Sequence, residues 1–176
     1  MSKTNALKAA VLVLILGGAV YLVLHQHQPR PLTIGDNAPD VTLPAFPSGS
    51  LDLSKDRRQI VVLNFWATWC PPCVEETPSL EKFAERVQSQ GVVVIGVSVD
   101  EDRKALQEFI GKYGITYAIG LDPDRSLSGR FGTFKFPETY ILDRQGRVAE
   151  KLVGAVNWDD PRIQSFVQEL ARGSGR

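Results

Sequence analysis

Two apolar runs mark the middle of the chain. Ile60 to Phe65 is broken only by Asn64, and Val92 to Val99 only by a glycine and a serine. Runs of this kind suit strands covered on both faces of a sheet. Between them, Pro72 to about Val87 carries Leu80, Phe83, Ala84 and Val87 at helical spacing, and Gly91 ends the stretch. After the second run, Asp100 or Asp102 is expected to cap a helix bearing Leu106, Phe109 and Ile110, closed between Gly111 and Gly114. Upstream, Val41–Leu43 and Ser50–Leu53 flank a Pro/Gly/Ser turn and predict a hairpin with Leu51 and Leu53 facing inward. Downstream, Thr116–Leu121 predicts a third strand, and Asp122 to Phe131 a turn with a short helix. Glu138–Leu142 and Arg147–Val153 predict a hairpin joined by Asp143-Arg144-Gln145-Gly146. Asp159–Ala171 closes the chain as a helix with Ile163, Phe166, Val167 and Leu170 on one face. The order is β-β, βαβα, β, short helix, ββα, and the class is α/β.

The N-terminus reads differently. Lys3 and Lys8 precede an uncharged apolar run from Ala9 to Leu24. The run is a little short of a bilayer span, but Ala6 and Leu7 extend it and Lys8 can reach back to the interface. This predicts one transmembrane signal anchor at 9–24, with residues 1–8 in the cytoplasm. A cleaved signal peptide is the alternative, though His25-Gln26-His27-Gln28 offers no small residues for a cleavage site. Residues 25–33, with Pro29 and Pro31, read as a stiff tether, and 34–173 as one soluble domain outside the inner membrane, in the periplasm or its equivalent. Formal net charge is zero, with 20 basic and 20 acidic side chains. No basic stripe interrupts that balance, so nucleic-acid binding has no support.

The chemistry concentrates at Asn64-Phe65-Trp66-Ala67-Thr68-Trp69-Cys70-Pro71-Pro72-Cys73, which holds the only two cysteines of the chain. Three residues apart, and following a strand into a helix, they can close a reversible disulfide at the helix N-terminus. The partial positive charge there favours a thiolate on Cys70, making it the nucleophile. A purely structural disulfide across so short a loop would constrain the unfolded chain little. Zinc would need about four ligands, and only His25 and His27 could add to the cysteines.

The run Phe65–Cys73 resembles the active site of thioredoxin-like proteins. More narrowly, the chain resembles the membrane-anchored TlpA/ResA/DsbE(CcmG)-type thiol-disulfide oxidoreductases. Gly35-Asp36-Asn37-Ala38-Pro39-Asp40, Glu76, Pro78 and Phe136-Pro137-Glu138-Thr139-Tyr140-Ile141-Leu142-Asp143 complete the likeness, which runs from about Ile34 to Leu170. It implies a thioredoxin fold with an N-terminal β-hairpin and an insertion around 115–131. Cys70 is expected to attack a client disulfide and Cys73 to resolve the mixed disulfide. Pro71 and Pro72 stiffen the helix start and remove two backbone donors. Trp66 is expected in the packing and Trp69 on the client-facing rim. Glu76, one helical turn beyond Cys73, is expected to approach the site and move the proton of Cys73. Its neighbour Glu75 reads as solvated. Asn64 stands where thioredoxins proper carry a buried Asp, which adds weight to Glu76. The likeness implies a cis peptide between Phe136 and Pro137, facing Cys70 and offering backbone groups to an extended client.

The resemblance implies a reductase of client disulfides, such as the haem-attachment cysteines of apocytochrome c, or thiols in copper-site assembly. Its reductant would be an integral membrane thiol-electron transporter. It needs no cofactor and is expected to act as a monomer. A disulfide oxidase would use the same cysteines at a different potential, but the Cys-Pro-His-Cys pair of strong oxidants is absent. A peroxiredoxin-type peroxidase wants P-x-x-x-[ST]-x-x-C, and Leu63 and Ala67 fill those positions. A copper chaperone would need a distal His, and none follows His27. A non-catalytic interaction module would have no use for an intact cysteine pair.

Overall fold

The computed structural model describes residues 3–25, 30–54 and 58–173. The chain divides into two compact units, 1–30 and 31–176. The first contains α1 (Lys3–His25), a helix of 23 residues. Among the described residues no helix is long and apolar enough to cross a membrane, so the transmembrane span expected over 9–24 is not supported. The uncharged run is 16 residues, short of the roughly 20 that a bilayer core requires. Lys8 lies within the helix that would have to lengthen it. Of the expected tether and cytoplasmic tail, residues 26–29, Met1 and Ser2 lie outside the described residues.

The second unit is built on a seven-stranded mixed sheet in the order β2-β1-β5-β4-β3-β6-β7. Its strands are β1 (Thr42–Phe46), β2 (Ser50–Asp52), β3 (Ile60–Trp66), β4 (Val92–Ser98), β5 (Ala118–Leu121), β6 (Glu138–Leu142) and β7 (Val148–Val153). Its helices are α2 (Pro71–Val87), α3 (Arg103–Tyr113), α4 (Ser126–Phe131) and α5 (Pro161–Ala171). The element order is the one the sequence predicts. The segment expected as an insertion supplies β5, which pairs parallel with β4 and antiparallel with β1, followed by α4.

All seven residues of β3 are buried, because the strand pairs on both sides, parallel to β4 and antiparallel to β6. Successive side chains of a strand point to opposite faces. Val61, Leu63 and Phe65 join Ile95, Val97, Phe131 and Tyr140 on one face. Ile60 and Val62 join Leu80, Phe83, Trp158 and Val167 under α2 and α5 on the other. A third cluster caps the C-terminal end of β3, where Trp66 and Ala67 pack with both cysteines, Val99, Leu106 and Phe109.

Of the two candidate caps for α3, Asp102 fills the role, accepting from the N–H groups of Lys104 (2.8 Å) and Ala105 (3.1 Å). At the end of α4, Gly132 has φ 72°, and a Cβ there would collide with the backbone of Pro31. Only glycine satisfies both demands, and the contact lets Leu32 N–H bond the carbonyl of Phe131 at 2.9 Å.

Candidate active site

Cys70 is the N-cap of α2, in extended conformation, with Pro71 and Pro72 opening the helix. Proline is tolerated there because those amides would have no helical partner. Cys70 and Cys73 form a disulfide, with Cα atoms 5.2 Å apart. The Cys73 N–H points at Cys70 Sγ, at 3.3 Å, where it would stabilise a negative charge on that sulfur after reduction. Both cysteines are buried.

The loop before Cys70 is fixed from β4. Asp100, buried, accepts from Thr68 N–H (3.0 Å to Oδ2), Thr68 Oγ1–H (2.6 Å to Oδ1) and Ser98 Oγ–H (2.7 Å). The sequence offered Asp100 only as a possible helix cap. It is instead the anchor of the strand-to-helix turn that delivers Cys70.

Glu76 lies on α2 and is 2% exposed. Its Oε1 accepts from Trp158 Nε1–H at 2.6 Å and from Asn64 Nδ2–H at 3.3 Å. Asn64 also donates to Thr139 Oγ1 at 2.9 Å. Oε2 is buried with no hydrogen-bond partner among the described residues. Burial raises the Glu76 pKa from 4.5 to about 7, against the opposing pull of Trp158 and the Val156 backbone. The charge of Glu76 reaches Tyr117, whose phenol is pushed up by burial first, then by Glu81 and Glu76. Glu75, by contrast, is exposed.

Asn64 thus takes no proton itself but orients the carboxylate that can. Trp158 was not singled out from the sequence. It stands alone before the last helix, outside the helical apolar pattern, and an isolated tryptophan at a helix entrance was the one available signal.

The rim is aromatic. Trp69 is 58% exposed and meets Phe136 edge-on, ring centroids 6.3 Å apart. Phe134 is 72% exposed. Trp66, buried against Phe109, belongs to the packing as expected. The Phe136–Pro137 peptide is cis, as is Phe46–Pro47. Phe136 packs against the cluster that holds both cysteines. The Pro137 carbonyl is taken by Gly154 N–H at 2.9 Å.

Behind the rim, Glu138 is buried and pairs with Lys151 at 2.6 Å. Lys151 also lies 4.9 Å from the centroid of the Tyr140 ring.

Residues 34–151 match the AhpC/TSA family. The thiol-disulfide oxidoreductase ResA of Bacillus subtilis (strain 168) is 30% identical over 146 residues, covering 83% of this chain and 81% of the relative. ResA of Bacillus anthracis is 29% identical over 157 residues, 88% of this chain and 91% of the relative. Among solved structures, a thiol:disulfide interchange protein of DsbE type from Chlorobium tepidum superposes with a TM-score of 0.74 at 26% identity, covering 80% of this chain and 99% of that one. A secreted thiol-disulfide isomerase from Corynebacterium glutamicum gives 0.70 at 27% identity, with 80% and 91% covered. With a redox pair capping α2 and this kinship on both sequence and fold, the chain belongs to the AhpC/TSA family and is a thiol-disulfide oxidoreductase of the ResA/DsbE type.

Proposed function

We propose that the protein reduces disulfides of extracytoplasmic clients, the haem-attachment cysteines of apocytochrome c being the leading case. The observation that carries the reading is Glu76, buried one turn beyond the Cys70–Cys73 pair with its pKa near neutrality and one oxygen unpartnered.

The Cys70 thiolate attacks the client disulfide. One client sulfur joins Cys70 and the other leaves as a thiolate and gains a proton. Cys73 must then lose its proton to attack Cys70 Sγ, and Glu76 Oε2 is free to take it. The client departs as a dithiol, and two electrons have passed to it from the Cys70–Cys73 dithiol. Trp69, Phe136, Pro71, Pro72 and Pro137 line the face that meets the client. An integral membrane thiol-electron transporter would restore the dithiol. Peroxide reduction is disfavoured because Leu63 and Ala67 fill the positions that chemistry needs.

We place the single domain, residues 34–173, outside the inner membrane as a monomer. The N-terminal apolar run, exposed from Val11 to Leu16, would keep it at the membrane. The secreted Corynebacterium relative supports this location. Fractionation of cells expressing the full chain tests it, and recovery in the cytoplasm would overturn it.

The deciding measurement is the reduction potential of the Cys70/Cys73 pair, equilibrated against a dithiothreitol or glutathione buffer. A value well below about −200 mV supports the reductase. A value near about −120 mV would make the protein an oxidase of thiols instead.

A further inference from the structure

Arg125 is the one non-glycine residue with positive φ among the described residues, at φ 57° and ψ 25°. Its neighbours impose that conformation. Asp122 accepts from Leu127 N–H at 2.9 Å and Ser128 N–H at 2.8 Å, and Asp124 from Ser126 N–H at 3.1 Å. Arg125 N–H closes the turn on the carbonyl of Asp122 at 3.0 Å. Both nearby acids are thereby committed to the start of α4.

The Arg125 side chain is left exposed, 6.0 Å from the centroid of the Trp69 ring, with no ion pair among the described residues. Trp69 adjoins Cys70 and meets Phe136. A guanidinium with no ion-pair partner among the described residues therefore stands on the aromatic rim beside the redox pair. The backbone position would be relaxed in a glycine, and an arginine there carries strain.

We propose that Arg125 is a specificity-determining residue that receives a carboxylate side chain of the client, an Asp or Glu flanking its disulfide, across the face of Trp69. The proposal rests on the reading of this rim as the client-binding face. A guanidinium offers a planar fork that matches a carboxylate with two parallel hydrogen bonds. Its stacking on an aromatic ring holds that fork in place. The electron transfer is the one already described, and Arg125 changes only which disulfide is presented to Cys70.

The test uses the reduced full-length protein and two synthetic peptides with acetylated and amidated ends, so that no terminal carboxylate competes. Each contains one intramolecular disulfide, flanked by Asp in one peptide and by Lys in the other. Wild type is expected to favour the Asp peptide in kcat/KM by about fivefold, and added salt to shrink the ratio. Arg125→Gln is expected to bring the ratio close to one. Arg125→Gly should do the same while keeping or raising the melting temperature, because it relieves the left-handed backbone. A purely structural arginine would not separate those two readouts. Equal reduction of both peptides by wild type, or a preference that persists in Arg125→Gln, overturns the proposal and leaves the reductase reading intact. Failure of wild type to reduce either peptide overturns the reductase reading and the proposal with it.

Discussion

Trp158 Nε1 donates to Glu76 Oε1 at 2.6 Å across 82 residues of sequence. The bond ties the entrance of α5 to the helix that carries both cysteines. It is a donor to the charged form of a buried acid, so it holds the Glu76 pKa down against burial. Trp158→Phe keeps an aromatic ring against Phe83 but removes the N–H. The Glu76 pKa should then rise further above neutrality, and the midpoint of the pH–rate profile for client reduction should move upward. Asn64, Tyr117 and the Val156 backbone also bear on this carboxylate and stay in place. A variant that is less stable but has the wild-type pH midpoint would show that Trp158 only packs.

Glu76 itself should leave a signature in stability. Its pKa is about 7 in the folded protein against an ordinary 4.5, so the folded state holds the proton more tightly than the unfolded one. Stability therefore falls as pH rises from about 4.5 to about 7, and the loss is complete above that window. The shift corresponds to ~3 kcal/mol. Glu76→Gln should abolish this part of the pH dependence. Urea midpoints of the oxidised proteins, taken from pH 4.5 to 8, should converge at the acid end and diverge above it. Parallel curves would mean that Glu76 ionises normally.

Cys73→Ala should leave Cys70 able to attack but unable to release its client. A mixed disulfide should accumulate and appear as a higher band on a non-reducing gel. Cys70→Ala should form none. Accumulation in the Cys70→Ala protein would reverse the two roles.

Removal of the Asp100 carboxylate strands three donors, two of them on Thr68 and one on Ser98. Asp100→Ala should cost ~2 kcal/mol or more in urea unfolding. It should also slow exchange, because the turn it holds lies two residues before Cys70. Unchanged exchange kinetics in a destabilised variant would confine Asp100 to folding.

Lys151→Met leaves Glu138 buried without its cation. An uncompensated buried charge of this kind costs about 3 kcal/mol. Adding Glu138→Gln should recover much of that loss, since the pair is then gone rather than broken. A double variant no more stable than Lys151→Met would show that the ion pair contributes little.

The sheet was legible because its signals are local: Ile60–Phe65 and Val92–Val99 are apolar apart from Asn64, Gly96 and Ser98. The redox pair was legible because Cys70 and Cys73 lie three apart at a strand-to-helix junction, a geometry that needs no distant partner. Glu76 was legible as a position but not as an environment. Its burial depends on Trp158 and its orientation on Asn64, and no periodicity links residues so far apart. Asp100 looked like a helix cap because that pattern spans three residues, whereas its real partner Thr68 is 32 residues away. The left-handed turn at Arg125 carries no glycine to announce it. The apolar N-terminal run read as a membrane span from composition alone, and the structure does not support that reading.

Both cysteines are buried, Cys70 being only 5% exposed. A disulfide set in a rigid, finished globule meets more steric resistance in approaching a cysteine this buried. A chain still extended can lay that bond along the rim where Trp69 meets Phe136. On the proposed reading, the burial of Cys70 sets a deadline: a client would be open to reduction while its chain is extended and closed to it once folded.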